Sequence, residues 1–152
     1  MGRYKSVEAT ISVRDAAIDG MADLKELGEE MGSWRDNTEG TPAENSPRFE
    51  VVSETATALE DFDEPSLDDL PQEIQDREVK YSYQKVQSGR QKTPSRAVRC
   101  SNACAMIQAA VDELEDLRDP EGNDIPGTEG VADELSEVIS SVEGLEFPGM
   151  YG

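Results

Sequence analysis

Cys100 and Cys104 are the first residues whose type and spacing could do chemistry. They stand four apart, which puts both thiols on one face of a helix. Two thiols are half of a tetrahedral metal site, and the chain has no His and no further Cys to complete it. A disulfide between them would strain the helix. A reactive thiolate needs exposure and a cationic neighbour, and Arg96, four residues before Cys100, is nearby. The expected role of both cysteines is packing in or near the core.

The loop Asp119-Pro120-Glu121-Gly122-Asn123-Asp124 has the look of a calcium loop. It fails by position: the turn glycine would fall at Asp124 and the bidentate Glu at Gly130. Paired carboxylates recur at Glu29/Glu30, Asp68/Asp69, Asp112/Glu113, Glu115/Asp116 and Asp133/Glu134. General acid–base work needs a desolvated carboxyl, and these acids fall on the solvent side of helical stripes. With no Cys-His pair and no Gly-rich phosphate loop, the expectation is no enzyme, no cofactor and no metal.

The most specific signal is a basic window. Arg77, Lys80, Lys85, Arg90, Lys92, Arg96 and Arg99 are opposed there only by Glu78. Seven cations against one acid give +6, which leaves −26 for the rest of a chain whose net charge is −20. Arg90, Lys92, Arg96 and Arg99 sit on a loop and the first turn of a helix, where free N–H groups add to the positive field. With Tyr81 and Tyr83 upstream, the window is a candidate site for an anion or a partner. It faintly resembles a nucleic-acid-binding strand and loop, but −26 elsewhere opposes a polyanion, so nucleic acid is disfavoured. The stronger expectation is that the window meets the protein's own acidic helices or those of an identical neighbour.

The elements that must position these residues follow from periodicity. Val7, Ala9, Ile11 and Val13 alternate with polar residues and predict a strand. Ser12 caps a helix with Asp15 at its third position. The stripe Ala17, Met21, Leu24, Leu27/Gly28, Met31 and Trp34 is its core face. Residues 36–44 predict a loop. Ser46-Pro47 opens a second helix with Phe49, Val52, Ala56, Leu59 and Phe62 inward. An acidic linker with two prolines follows, then a second strand at Val79, Tyr81 and Tyr83. Thr93-Pro94-Ser95 caps a third helix carrying Ala103, Ile107, Ala110/Val111, Leu114 and Leu117. Thr128 caps a fourth, striped by Val131, Leu135, Val138, Val142 and Leu145.

The predicted fold is therefore mainly α with a minor β ribbon: two αα-hairpins in an internally duplicated β-α-α arrangement. One domain spans 1–152, with a first unit over 7–62, a linker over 63–76, a second unit over 77–147 and a tail over 148–152. A two-stranded ribbon is marginal in water and needs the bundle beneath it or a strand at its edge. The apolar tail, Leu145 to Gly152, must fold back on the core or dock in a partner, and the former is expected.

Composition bounds the function. The chain is 36% apolar and 32% charged, with two Cys, and no signal-like or membrane-length apolar run is visible. A cytoplasmic protein is expected, in host cytoplasm or a virion if viral. Size, acidity and lack of enzyme motifs resemble in style the small accessory proteins of tailed phages and other viruses. No diagnostic motif carries that resemblance, and no site residue is taken from it. Two function classes remain. One is an interaction factor whose acidic helices occupy a basic surface of another protein, in the extreme a nucleic-acid mimic that inhibits a nucleic-acid-binding protein. The other is a virion structural or assembly protein that oligomerises through basic-loop to acidic-face contacts. Adaptation to high salt would explain the acidity with no partner.

Overall fold

The computed structural model describes residues 3–87 and 93–148. It is a helical protein with one antiparallel ribbon. Strand β1 (Tyr4–Ser12) leads into helix α1 (Val13–Thr38), a 3-10 turn (Pro42–Asn45) and helix α2 (Pro47–Asp61). A short helix α3 (Gln72–Gln75) precedes strand β2 (Glu78–Val86), and helices α4 (Arg96–Asp116) and α5 (Thr128–Val142) follow. The order strand, long helix, 15-residue helix thus occurs twice.

The caps explain the helix starts. Ser12, Ser46 and Ser95 each accept a hydrogen bond from the backbone N–H three residues on, at Asp15, Phe49 and Val98. At α5 the cap is Gly127, not Thr128. Its φ of +90° suits glycine, and Thr128 is the first helical residue, its hydroxyl donating back to the Ile125 carbonyl at 2.8 Å.

β1 and β2 pair without a bulge, with Val7 opposite Tyr83, Ala9 opposite Tyr81 and Ile11 opposite Val79. One core lies beneath. Leu24, Leu27, Met31, Val52, Leu59, Ile107, Leu114 and Leu135 are wholly or almost wholly buried in it. α1 is the central helix, packed on both α2 and α4, while α5 packs on α4. Glycines make those contacts close. A Cβ on Gly20 would stand 2.6 Å from Ile107 Cγ1 and 2.9 Å from the Ala103 carbonyl oxygen, and one on Gly28 would meet Leu59 Cβ at 3.0 Å.

Two predicted loops hold more structure than expected. α1 runs to Thr38, so most of the start of the predicted 36–44 loop is its last turn. The predicted linker is not a loose tether. Leu67, Leu70 and Ile74 are buried in the common core, and Gln75, also buried, donates from Nε2 to the Leu70 carbonyl at 2.7 Å. Arg14 fastens the segment to α1 through Asp68 (2.7 Å) and Gln75 Oε1 (2.9 Å). Three apolar residues spaced three and four apart among many acids were enough to fold it back. The tail behaves as expected as far as Pro148: Leu145 and Phe147 pack against the core, and Thr55 donates to the Glu146 carbonyl at 3.0 Å. Among the described residues no helix is long and apolar enough to cross a membrane.

Candidate interaction surfaces

The basic window is met first by the protein itself. Ser95 caps α4, so Arg96 and Arg99 lie on its first turn, three apart and on one face. That face meets Glu30 of α1. Arg99 grips the Glu30 carboxylate with both terminal nitrogens, Nη1 to Oε1 at 3.1 Å and Nη2 to Oε2. Arg96 Nε adds a third contact to Oε1 at 3.2 Å. The Arg99 guanidinium holds the Glu30 carboxyl below the usual carboxylate range, against a smaller opposing effect of burial. The α4 N-terminus is engaged too: the Val98 N–H is spent on Ser95 Oγ, and the Ser95 N–H donates to the Tyr4 hydroxyl at 3.1 Å. Further down the window, Arg77 Nε pairs with Glu113 at 2.6 Å. Arg90 and Lys92 lie outside the described residues.

Tyr81 and Tyr83 lie along β2 in one row of the ribbon, with ring centroids 5.8 Å apart. Burial raises the Tyr81 hydroxyl pKa, helped by Tyr83 and by the α1 acids Asp23 and Asp19. Asp23 in turn is raised by burial and by its like-charged neighbours Glu26 and Asp19, with Arg99 opposing. Tyr81 and Arg99 thus both lie in the field of Asp23 on α1.

Other cations are similarly spent on the protein's own groups. Arg35 pairs with Asp36 and reaches Glu60 at 3.8 Å, and Arg118 pairs with Asp124 at 3.2 Å. Lys25, from α1, caps the end of α2. Its Nζ donates to the carbonyls of Glu60 (2.6 Å) and Phe62 (2.9 Å) and stands 4.0 Å over the Phe62 ring.

A second group of acids has no ion-pair partner among the described residues. Between the end of α2 and α5 lies a cleft of about 440 Å³, with Asp61, Asp63, Glu64, Glu134 and Glu137 around Phe62 and Val138. None of the five carboxylates is in an ion pair among the described residues. Sequence reasoning treated these acids as diffuse solvated surface. A signal was present: after Arg118 the chain has nine Asp or Glu and no Lys or Arg. α5 therefore has no cation of its own, and Glu129, Asp133 and Glu137 repeat on it at four-residue intervals, about 6 Å apart along the axis.

The cysteines pack as expected in position. Cys100 is buried and Cys104 half-buried, both against the core. Hydrogen bonding to Cys104 and burial push the Cys100 thiol up, away from the reactive thiolate. In the Asp119 loop the carboxylate is used locally, accepting the backbone N–H groups of Glu121 and Asn123, each at 2.9 Å. That is the geometry of an Asx turn.

No protein-family model matches the chain, and neither a curated protein nor a solved structure does.

Proposed function

We propose that the protein is a non-enzymatic interaction factor whose α2–α5 face receives a cationic segment of a partner protein. The observation that carries this reading is the division of charge. Arg77, Arg96 and Arg99 are consumed by Glu113 and Glu30, while five carboxylates around one cleft go unmatched. Like charges gathered at a concave surface focus a field outward, and a net charge of −20 steers a cation toward it. Lys25 stands over the Phe62 ring, and Val138 at the cleft supplies apolar surface for the methylene stem of a partner's Lys or Arg. The interaction through the basic loop fits less well, because its two described arginines already have partners.

Titration with an arginine-rich peptide, followed by fluorescence anisotropy, tests the reading. Glu134→Gln with Glu137→Gln should weaken binding about tenfold, the equivalent of about 1.4 kcal/mol. Glu121→Gln with Glu143→Gln removes the same charge from exposed positions outside the cleft and should leave affinity nearly unchanged. Equal losses in the two pairs would mean diffuse polyelectrolyte attraction and no site.

A further inference from the structure

The ribbon has two edges, and the fold treats them differently. Gln87 N–H bonds to the Arg3 carbonyl and Val13 N–H to the Arg77 carbonyl. In the continuous register between them, the odd-numbered residues of β1 exchange bonds with β2. The even-numbered residues of both strands therefore point their N–H and C=O groups outward. On β2 that edge is closed by a side chain. Asn102 of α4 accepts the Gln84 N–H at 2.8 Å and donates to the Gln84 carbonyl at 3.0 Å, standing in for a neighbouring strand. On β1 nothing among the described residues pairs with the outward backbone of Ser6, Glu8 and Thr10, all three of which are exposed. Two of the usual protections of an open edge are also missing: β1 has no proline and no bulge.

We propose that this edge pairs antiparallel with β1 of a second copy, joining two ribbons into one four-stranded sheet. Charge selects the occupant. β1 carries one Lys and one Glu, Lys5 and Glu8, and is neutral in a chain of −20. The other charges of the ribbon are mostly basic: Lys80 and Lys85 of β2, with Arg3 just before β1, against Glu78 at the far end of β2. A cationic strand is repelled there, and a strand with no net charge is not. Sequence selects the register. With Val7 of each copy on the two-fold axis, the row across the sheet reads Tyr83, Val7, Val7, Tyr83, and Ser6 of each copy exchanges backbone bonds with Glu8 of the other. No new strand pair then sets like charges opposite one another. Sliding by two residues one way puts Glu8 directly against Glu8, which is destabilising, and sliding the other way sets Lys5 opposite Val7 and loses the central apolar pair. The gain is physical as well: a two-stranded ribbon is marginal, and its apolar row of Val7, Ala9, Tyr81 and Tyr83 is only half-buried.

Light scattering coupled to gel filtration, over a concentration series in low and high salt, tests the dimer. The mass should rise from 16.6 kDa toward twice that value, and more readily in high salt, which screens the repulsion between two acidic copies. Glu8→Pro removes an outward donor and blocks the edge while sparing the bonds to β2. It should stay monomeric with the parent's melting temperature, whereas Glu8→Gln should associate at least as well as the parent. As a second readout, Val7→Cys with Cys100→Ala and Cys104→Ala should cross-link to itself on mild oxidation, because residues at a non-hydrogen-bonded pair have Cα atoms about 4.5 Å apart. A parent that stays at 16.6 kDa throughout overturns the proposal. So does a folded Glu8→Pro that still associates, or a Val7→Cys variant that does not cross-link. Association that weakens with salt would instead indicate contacts between basic and acidic faces. The assay contains no cationic peptide, so its result is independent of the acidic-cleft reading.

Discussion

Replacing Glu30 with Gln should cost more stability than its charge alone explains. The carboxylate receives three arginine nitrogens, two from Arg99 and one from Arg96. The side chains are 31% exposed at Glu30, 23% at Arg99 and 35% at Arg96. That places the cluster between two limits. An exposed pair contributes under about 1 kcal/mol, and breaking a fully buried pair costs about 3–5 kcal/mol. A loss of about 2 kcal/mol follows for Glu30→Gln, or a fall in melting temperature of roughly 4–8 °C for a chain of this length. Removing any acid from a chain of −20 also relieves repulsion, so the comparison must be internal. Glu29→Gln makes the same charge change one residue away, at an exposed position with no described partner. It should be neutral or slightly stabilising.

The pH dependence gives a second, independent check. Glu30 has its pKa depressed in the folded state from an ordinary value of 4.5. Its contribution is therefore present above that value and is lost as pH falls through the lower folded pKa. The difference in stability between parent and Glu30→Gln, measured by urea denaturation, should be constant from pH 7 to 5 and shrink below about 4. Protonation of the other carboxylates acts on both proteins alike and cancels. Equal stability of Glu29→Gln and Glu30→Gln at neutral pH, or a difference that does not close in acid, would refute the reasoning.

Two further outcomes test the packing. Gly20→Ala puts a methyl group 2.6 Å from Ile107 and 2.9 Å from the Ala103 carbonyl oxygen, and should destabilise by about 1–3 kcal/mol in denaturant titration; an unchanged midpoint would mean that α1 and α4 are not in contact there. Leu135→Asp buries an unpaired charge at a position with no exposure and should abolish the cooperative thermal transition seen by circular dichroism; a variant that melts like the parent would show that the wrong face of α5 has been placed inward.

The element order was legible because local and global signals agree. The α1 stripe from Ala17 to Met31 is buried as its period requires, and three Ser caps stand where their side chains were expected to bond. Where the reading fell short, a weak local signal was overridden by packing. Leu67, Leu70 and Ile74 lie among acids and prolines, with too few apolar residues for a moment of their own, yet a core with room for them folds the segment in. The cap at α5 was misplaced by one residue because Thr is the commoner cap, whereas here a left-handed backbone at position 127 requires Gly.

The surfaces were less legible than the fold, and for a physical reason. A charge window is a one-dimensional count, while pairing is decided in three dimensions. Arg96 and Arg99 looked available in the sequence because their nearest acid in the chain, Asp112, is 16 and 13 residues on, but Glu30 is 66 and 69 residues away and in contact. The same packing that silences these cations leaves the acids of α5 exposed, since α5 contributes none of its own cations and meets α4 through an apolar stripe. The acidity of the cleft is thus the other side of the neutralised α4 N-terminus: each arginine drawn to α1 is one fewer to offset Glu134 and Glu137.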